Sequence, residues 1–250
     1  MKIAIITGGS RGLGRAMAMD ITAKGHDVIL TYNSKRQEAE EAVALIEKQG
    51  RKAVALQLDT SDIKSFATFA EAVKETLKRT WNRNDFDFLV NNAGFGIHAL
   101  ITETTEEQFD QLVNVHFKGV FFLTQTLLPL IANGGRIVNI SSGLARFSTP
   151  GNSVYGALKG AVEVLTRYMA VEFGSRGIAV NTVAPGPIAT DFGGGMVRDN
   201  AAINQQLASR TALGRVGQAE DIGGVVTALL SEEMRWVNGQ RIEASGGINL

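Results

Sequence analysis

Tyr155 and Lys159 stand four residues apart, a spacing that on a helix puts both side chains on one face. A free phenol keeps its proton up to about pH 10. A lysine ammonium about 5 Å away, at an effective dielectric of about 20, would stabilise the phenolate by about 3 kcal/mol, or about two pKa units. Tyr155 would then act as a general acid or base. Ser142, expected at the end of a strand, would hydrogen-bond the same substrate oxygen and stabilise the charge that develops there. This set suits a carbonyl that receives a hydride at carbon and a proton at oxygen. Each piece also has a plainer reading: Tyr/Lys neighbours are common on solvated helix faces, and a serine after a strand is ordinarily a turn or cap residue.

A hydride needs a carrier, and the start of the chain offers a place for one. After an apolar run comes Thr7-Gly8-Gly9-Ser10-Arg11-Gly12-Leu13-Gly14, opening a helix. Glycines let the backbone turn sharply and approach a pyrophosphate, and the free amides of a helix start form an electropositive end for it. The spacing G-x-x-x-G-x-G differs from the more familiar dinucleotide fingerprint, and a turn with incidental glycines is the alternative. The second strand distinguishes the dinucleotides, because an acid at its end would bond the ribose 2′-hydroxyl of NAD. The run Val28 to Tyr32 ends without one, and Asp27 sits at the opposite end. Asn33, Ser34, Lys35 and Arg36 follow, and Arg11 could close from the glycine loop. Charge-assisted bonds to a 2′-phosphate fit such surroundings, so NADP(H) is expected over NAD(H). In the alternative, Lys35 and Arg36 only begin a solvated helix and pair with Glu38, Glu40 and Glu41.

The elements that must position these groups follow from hydrophobic pattern. Strands are predicted at Lys2–Ile6, Asp27–Tyr32, Lys52–Leu58, Phe86–Val90, Arg136–Ile140, Ile178–Val183 and Gln240–Ala244. Helices are predicted at Arg15–Lys24, Ser34–Lys48, Ile63–Lys78, Glu106–Leu130, Val154–Phe173 and Glu220–Leu230. Apolar runs without polar alternation mark strands covered on both faces. The expectation is an α/β fold: one doubly wound (Rossmann) domain over residues 1–250, with a seven-stranded parallel sheet flanked by helices on both faces. Residues 1–140 would form the cofactor half and 141–250 the catalytic and substrate half. Ligands of such sheets bind beyond the carboxyl ends of the strands. The glycine loop, Asn91-Asn92-Ala93-Gly94, Ser142, Tyr155 and Lys159 would all meet there.

Composition narrows the partners. The 25 basic and 25 acidic residues balance, so nothing supplies the positive field that holds nucleic acid or a membrane surface. With no cysteine in the chain, disulfides, thiolate metal sites and a cysteine nucleophile are excluded. The three histidines, His26, His98 and His116, are not at metal-ligand spacing, and no metal is expected. The N-terminus reaches a strand by Ile3 without signal-peptide features. Polar residues and Pro129 interrupt the stretch Val120 to Ile131, which is short for a membrane span. A cytoplasmic protein is expected.

Over nearly its whole length the chain resembles the short-chain dehydrogenases/reductases of the compact type. The resemblance rests on Thr7 to Gly14, Asp59 after the third strand, Asn91 to Gly94, Asn114 in the central helix, Ser142, Tyr155, Lys159 and the turn Pro185-Gly186. It implies that Tyr155 is the acid/base, that Lys159 also holds the nicotinamide ribose, and that Ser142 positions the substrate oxygen. It gives Asn114 a water that links the lysine to solvent. The cofactor would touch Gly8, Ser10, Arg11, Gly12, Leu13 and Gly14, then Tyr32, Asn33 and Ser34. Asp59 and Thr60 would lie at the adenine, and Asn92, Ala93 and Gly94 further along. Pro185, Gly186, Ile188 and Thr190 would lie at the carboxamide. The closing strand, by the same resemblance, implies a homotetramer with the Tyr155 helix packed on its symmetry mate.

Two of the four prolines, Pro185 and Pro187, precede Gly193-Gly194-Gly195. A rigid turn followed by a flexible stretch predicts a lid over residues 186–210, an ordinary loop being the alternative. Phe147, Phe192 and Met196 could line an apolar wall, with His98 near its mouth, although packing is the commoner fate of such side chains. Within the family the chain is similar to 3-oxoacyl carrier-protein reductases and to NADPH carbonyl reductases. An acidic carrier protein calls for a basic landing patch, yet Leu130 to Gly135 holds no basic residue and only Arg136 and Arg176 lie near. Reduction of a small ketone or aldehyde is therefore expected ahead of acyl-carrier or acyl-CoA reduction. A protein that only senses NADP would not need Tyr155 and Lys159, and a sugar-nucleotide epimerase would need more chain than 250 residues leave.

Overall fold

The computed structural model describes residues 1–250. Seven strands form one sheet: β1 Ile3–Ile6, β2 Asp27–Tyr32, β3 Ala53–Gln57, β4 Phe86–Asn91, β5 Ile131–Ile140, β6 Ala179–Pro185 and β7 Arg241–Ala244. Their order is β3-β2-β1-β4-β5-β6-β7, and every pairing is parallel. The doubly wound arrangement expected from the apolar runs is therefore present. The order reverses between β1 and β4, the place where such sheets open a crevice at their carboxyl edge.

Alternate residues of a strand serve opposite faces, and the core divides accordingly. Ile3 and Ile5 of β1 pack with Phe66, Val73, Leu123 and Leu127 on one face. Ala4 and Ile6 pack with Met17, Ile21, Ile222 and Val226 on the other. The first layer is covered by α3 Phe66–Trp81, α5 Val120–Leu127 and α6 Ser153–Glu172, and the second by α1 Gly12–Ala23, α2 Arg36–Lys48 and α9 Ala219–Leu229. No helix is long and apolar enough to cross a membrane.

Three places differ from the sequence expectation. The helix expected over Glu106–Leu130 is interrupted: α4 Glu106–Val113 ends early, a π turn runs Asn114–Gly119, α5 follows, and a tighter turn closes it at Leu128–Leu130. Pro129 lacks the N–H that would continue the ladder there. The π turn presses against the loop after β3, where a side chain at Gly119 would collide with the Thr60 carbonyl. Second, β5 begins at Ile131 rather than Arg136, pairing first with Phe86 before its register shifts. Gly134, at φ 76°, makes the irregular stretch possible. Third, the segment expected as a lid carries two short helices, α7 Met196–Asp199 and α8 Ala201–Ser209. Asn200 caps α8 by accepting from the amides of Ala202 and Ile203, both at 3.1 Å.

Candidate active site

The loop after β1 is shaped by the loop after β4. The Thr7 hydroxyl accepts from the amides of Asn92 and Ala93, both at 2.9 Å. The Asn92 amide in turn donates to the carbonyls of Thr7 (2.8 Å) and Gly8 (3.3 Å). Gly8 and Gly12 adopt positive φ, 65° and 52°, which side chains disfavour. Gly14 is fixed by proximity, since a Cβ there would run into the Gly8 carbonyl oxygen and lie 2.7 Å from the Asn92 amide nitrogen. Gly9 serves packing against Leu30 instead and does not line the cavity. Helix α1 starts with no side-chain cap and no acid in its first turn. Its unpaired amides and positive end are thus free to meet an anion, which is the property a dinucleotide pyrophosphate requires.

A cavity of about 1190 Å³ extends from this loop to Tyr155. It reaches the residues expected to hold the cofactor and to do the chemistry, but not Arg36, His98 or Met196. Gly8, Ser10, Arg11, Gly12, Leu13 and Gly14 lie at one side, with Tyr32, Asn33, Ser34, Asp59 and Thr60 beyond the ends of β2 and β3. Asn92, Ala93 and Gly94 form the middle, and Pro185, Gly186, Ile188 and Thr190 the far wall. Asp27 is buried at the other end of β2, where it accepts from the Lys52 amide (3.0 Å) and the Trp81 indole (2.7 Å), so no acid stands at the ribose end of that strand. Lys35 lines the cavity with only a 3.9 Å contact to Glu38. Arg11 also lines it, 3.7 Å from Asp191. Arg36 takes the alternative role: it pairs with Glu40 at 2.7 Å on the helix surface.

Ser142, Tyr155 and Lys159 meet at the carboxyl end of β5, as expected, with Asn114 in the same wall. Lys159 donates to the Ile140 carbonyl at 2.8 Å, and its nitrogen lies 5.4 Å from the Tyr155 ring centroid. Ser142 accepts from the Leu144 amide at 3.2 Å. The acidity of the phenol departs from the sequence expectation. Burial pushes Tyr155 above its ordinary value, against a hydrogen bond with Ser142 that pulls the other way. Burial also pushes the Lys159 ammonium down to about 8. Loss of hydration on burial outweighs the attraction between the opposite charges for both groups.

Several cavity residues carried no signal in the sequence. His116 projects from the π turn and stands edge-on to Tyr155, ring centroids 5.1 Å apart at 87°. Dismissed as an isolated histidine, it is brought there by a backbone irregularity that periodicity does not reveal. Phe95 packs on it at 5.7 Å. Ile248 reaches the wall because the C-terminal segment folds back to pair with Thr211. Of the apolar residues considered for the wall, Phe147 and Phe192 line the cavity, and Phe192 lies 5.8 Å from Tyr155. Met196 and His98 are exposed and outside it. Gly193, Gly194 and Gly195 all have positive φ, between 62° and 77°, so the turn that carries Phe192 depends on glycine.

Comparison with known proteins agrees with this geometry. A family described as enoyl-(acyl carrier protein) reductase matches residues 8–249. The tetrahydroxynaphthalene reductase PfmaG of Pestalotiopsis fici is 37% identical over 98% of this chain and 91% of its own length. The angucycline C-6 ketoreductase LanV, solved with bound NADP, superposes with a TM-score of 0.93 at 35% identity, covering 98% of this chain and 95% of LanV. A short-chain dehydrogenase from Burkholderia cenocepacia in complex with NADP gives 0.91 at 35% identity, covering 100% of this chain and 98% of that one. With its parallel sheet, its glycine loop and its Ser142, Tyr155 and Lys159 in one cavity, this chain belongs to the short-chain dehydrogenase/reductase family.

Proposed function

We propose that the chain is an NADP(H)-dependent oxidoreductase that reduces the carbonyl of a cyclic, aromatic ketone to an alcohol, with Tyr155 as the proton donor. The observation that carries this reading is the convergence of Ser142, Tyr155 and Lys159 in the same cavity as an uncapped, acid-free helix start. Reduced NADP, when bound, supplies the hydride. The amides from Gly8 to Gly14 suit its pyrophosphate, and Arg11, Asn33, Ser34 and Lys35 suit a 2′-phosphate. Asp59 and Thr60 are assigned to the adenine, and Pro185, Gly186, Ile188 and Thr190 to the nicotinamide end. Ser142 holds the carbonyl oxygen, and Tyr155 gives it a proton as charge builds there. A buried phenol that keeps its proton at neutral pH is a ready acid toward an alkoxide, which is a much stronger base than a phenolate. Asn114 completes the wall beside them.

The substrate class is supported by the wall itself. Phe95, Phe147, Phe192 and Tyr155 offer flat apolar faces, and offset or edge-on packing of aromatic rings adds about 0.5–1.5 kcal/mol per pair. The cavity exceeds the roughly 300–1,000 Å³ of a small-ligand pocket, leaving room for a ring system beside a dinucleotide. The likeness to a hydroxynaphthalene reductase points the same way. A carrier-bound substrate finds less support. Arg176 spends its guanidinium on Asn133 and on the Leu128 and Ile131 carbonyls. Arg136 is buried against the Ser231 carbonyl. Neither is free to meet an acidic carrier protein.

A homotetramer belongs to this proposal. Val164, Tyr168 and Val171 are exposed on α6 at spacings that form one stripe, which supports pairing of that helix with a second copy. A single domain and a cytoplasmic location are part of the same reading. The reading is tested by following nicotinamide absorbance with NADPH or NADH against a tetralone, a β-keto ester and an acetoacetyl thioester. The expected result is NADPH ahead of NADH by about tenfold or more in kcat/KM, the worth of one charge-assisted hydrogen bond, and the tetralone ahead of the others. Turnover confined to NADH would overturn the cofactor assignment, and a thioester in first place would overturn the substrate class.

A further inference from the structure

Arg146 lies on the loop that follows Ser142, exposed and outside the cavity, yet its guanidinium is heavily engaged. Its Nε and Nη2 donate to the two oxygens of Glu243 on β7, both at 2.8 Å, the two-pronged pairing that suits a guanidinium and a carboxylate. Glu243 also accepts from Arg241 at 2.8 Å and from the Ser245 hydroxyl at 2.9 Å, so each of its oxygens takes two donors. Arg241 goes on to Glu163 at 2.7 Å, and Glu163 accepts from the Ser141 hydroxyl at 2.7 Å. An isolated surface ion pair contributes little; a carboxylate fixed by four donors and tied to the end of β5 is a rigid anchor. From that anchor the guanidinium reaches the C-terminal segment, donating to the carbonyls of Ile248 at 3.0 Å and Asn249 at 3.3 Å. While the Ile248 carbonyl turns to Arg146, its side chain is 2% exposed and lines the cavity with Phe147 and Leu207. Arg146 also lies over the Phe147 ring, 5.5 Å from its centroid. On its other edge the segment runs beside the residues that follow α8: the Ala212 and Leu213 amides donate to the carbonyls of Gly247 (3.2 Å) and Gly246 (3.0 Å), and the Asn249 amide donates to Arg210 at 3.2 Å. The segment is therefore a strap between the end of the lid and the loop after Ser142.

We propose that Arg146 is a positioning residue that sets the size of the substrate compartment: anchored on Glu243, it pins the strap Gly246–Asn249 to the loop after Ser142 and so holds the Ile248 side chain as a fixed wall. The main-chain bonds from the strap to Arg210, Ala212 and Leu213 join it to the lid; Arg146 supplies its ties to the catalytic side. A lysine carries a point charge and no planar fork, and could not serve Glu243 and both carbonyls together. This inference rests on the aromatic-ketone reading above and deepens it by naming what limits the ring system.

The test compares kcat/KM for a tetralone with that for its benzo-fused tricyclic homologue. In Arg146→Met the ratio of bicyclic to tricyclic ketone falls by about tenfold, the lower end of what the fit of one methylene decides in an apolar pocket. The change lies in KM for the ketone, with kcat within a few-fold of wild type and NADPH binding unaltered. Ile248→Ala shifts the ratio the same way with Arg146 intact, and the double variant does no more than Ile248→Ala alone, because both act on one wall. Arg146→Lys follows Arg146→Met. A wild-type ratio in Arg146→Met or Arg146→Lys, or a double variant whose effect is the product of the two, overturns the role of Arg146. A wild-type ratio in Ile248→Ala overturns the wall itself, whether or not Arg146→Met folds. Hydrogen exchange of the cofactor-free chain gives a readout free of turnover. In Arg146→Met the Ala212, Leu213 and Asn249 amides exchange about tenfold faster, as the loss of bonds from a charged donor predicts; unchanged rates overturn the pinning. If the wild-type chain reduces no ketone, the functional reading fails while faster exchange still supports the strap; if it reduces the tetralone and Arg146→Met keeps the ratio, only the role of Arg146 is lost.

Discussion

Tyr155→Phe lowers turnover by about 10²–10⁴-fold, the usual contribution of a positioned proton donor, while NADPH binds as it does to wild type. The substitution keeps the ring. Its packing against His116 at 5.1 Å and Phe192 at 5.8 Å survives, and only the hydroxyl with its transferable proton is lost. Removing one hydroxyl costs about 1 kcal/mol at most if it is hydrogen-bonded, so the fold is retained and the thermal midpoint moves little. Fluorescence titration with NADPH and a single-turnover assay with ketone read the two halves separately. Turnover within a few-fold of wild type would mean that another group, or water, delivers the proton.

Gly14→Ala weakens NADPH binding by about 10²-fold through geometry alone. Its Cβ would be forced into the Gly8 carbonyl oxygen and to within 2.7 Å of the Asn92 amide nitrogen. Either α1 retreats from the loop or Asn92 releases the Thr7 and Gly8 carbonyls that it holds. Each response disperses the amides that would surround the pyrophosphate. Losing two charge-assisted hydrogen bonds, at about 1.5 kcal/mol each, weakens binding by about 10²-fold. Overpacking adds about 1–3 kcal/mol of destabilisation. Gly160→Ala is the control: it lies on α6 with nothing within 4 Å of its Cβ, and should bind NADPH normally. If Gly14→Ala binds NADPH as well as Gly160→Ala does, the glycine loop is not the pyrophosphate site.

What could be read from the sequence was local. The glycine loop follows β1 directly, Tyr155 and Lys159 share a helix face, and the apolar runs mark strands covered on both sides, so spacing alone places these groups at one edge. Cofactor choice was also legible, because it depends on which residues end a single strand. Features set by distant contacts were not. His116 reaches Tyr155 only through the π turn, and Ile248 only because the tail returns to Thr211. Arg36 joined Glu40 on the helix surface while Lys35, its neighbour, stayed at the cavity; the difference lies in where α2 begins, which composition cannot fix. The Tyr155 phenol is held above its ordinary range rather than below it because charge separation follows from spacing, whereas desolvation depends on everything packed around the pair.

The central claim is that this cavity transfers a hydride from NADPH to a carbonyl carbon. NADPH carrying deuterium at the transferable position of C4, incubated with the best ketone of the panel, should yield an alcohol with one deuterium on the carbinol carbon. An alcohol without the label, or label delivered to a carbon–carbon double bond while the carbonyl stays intact, would contradict the account.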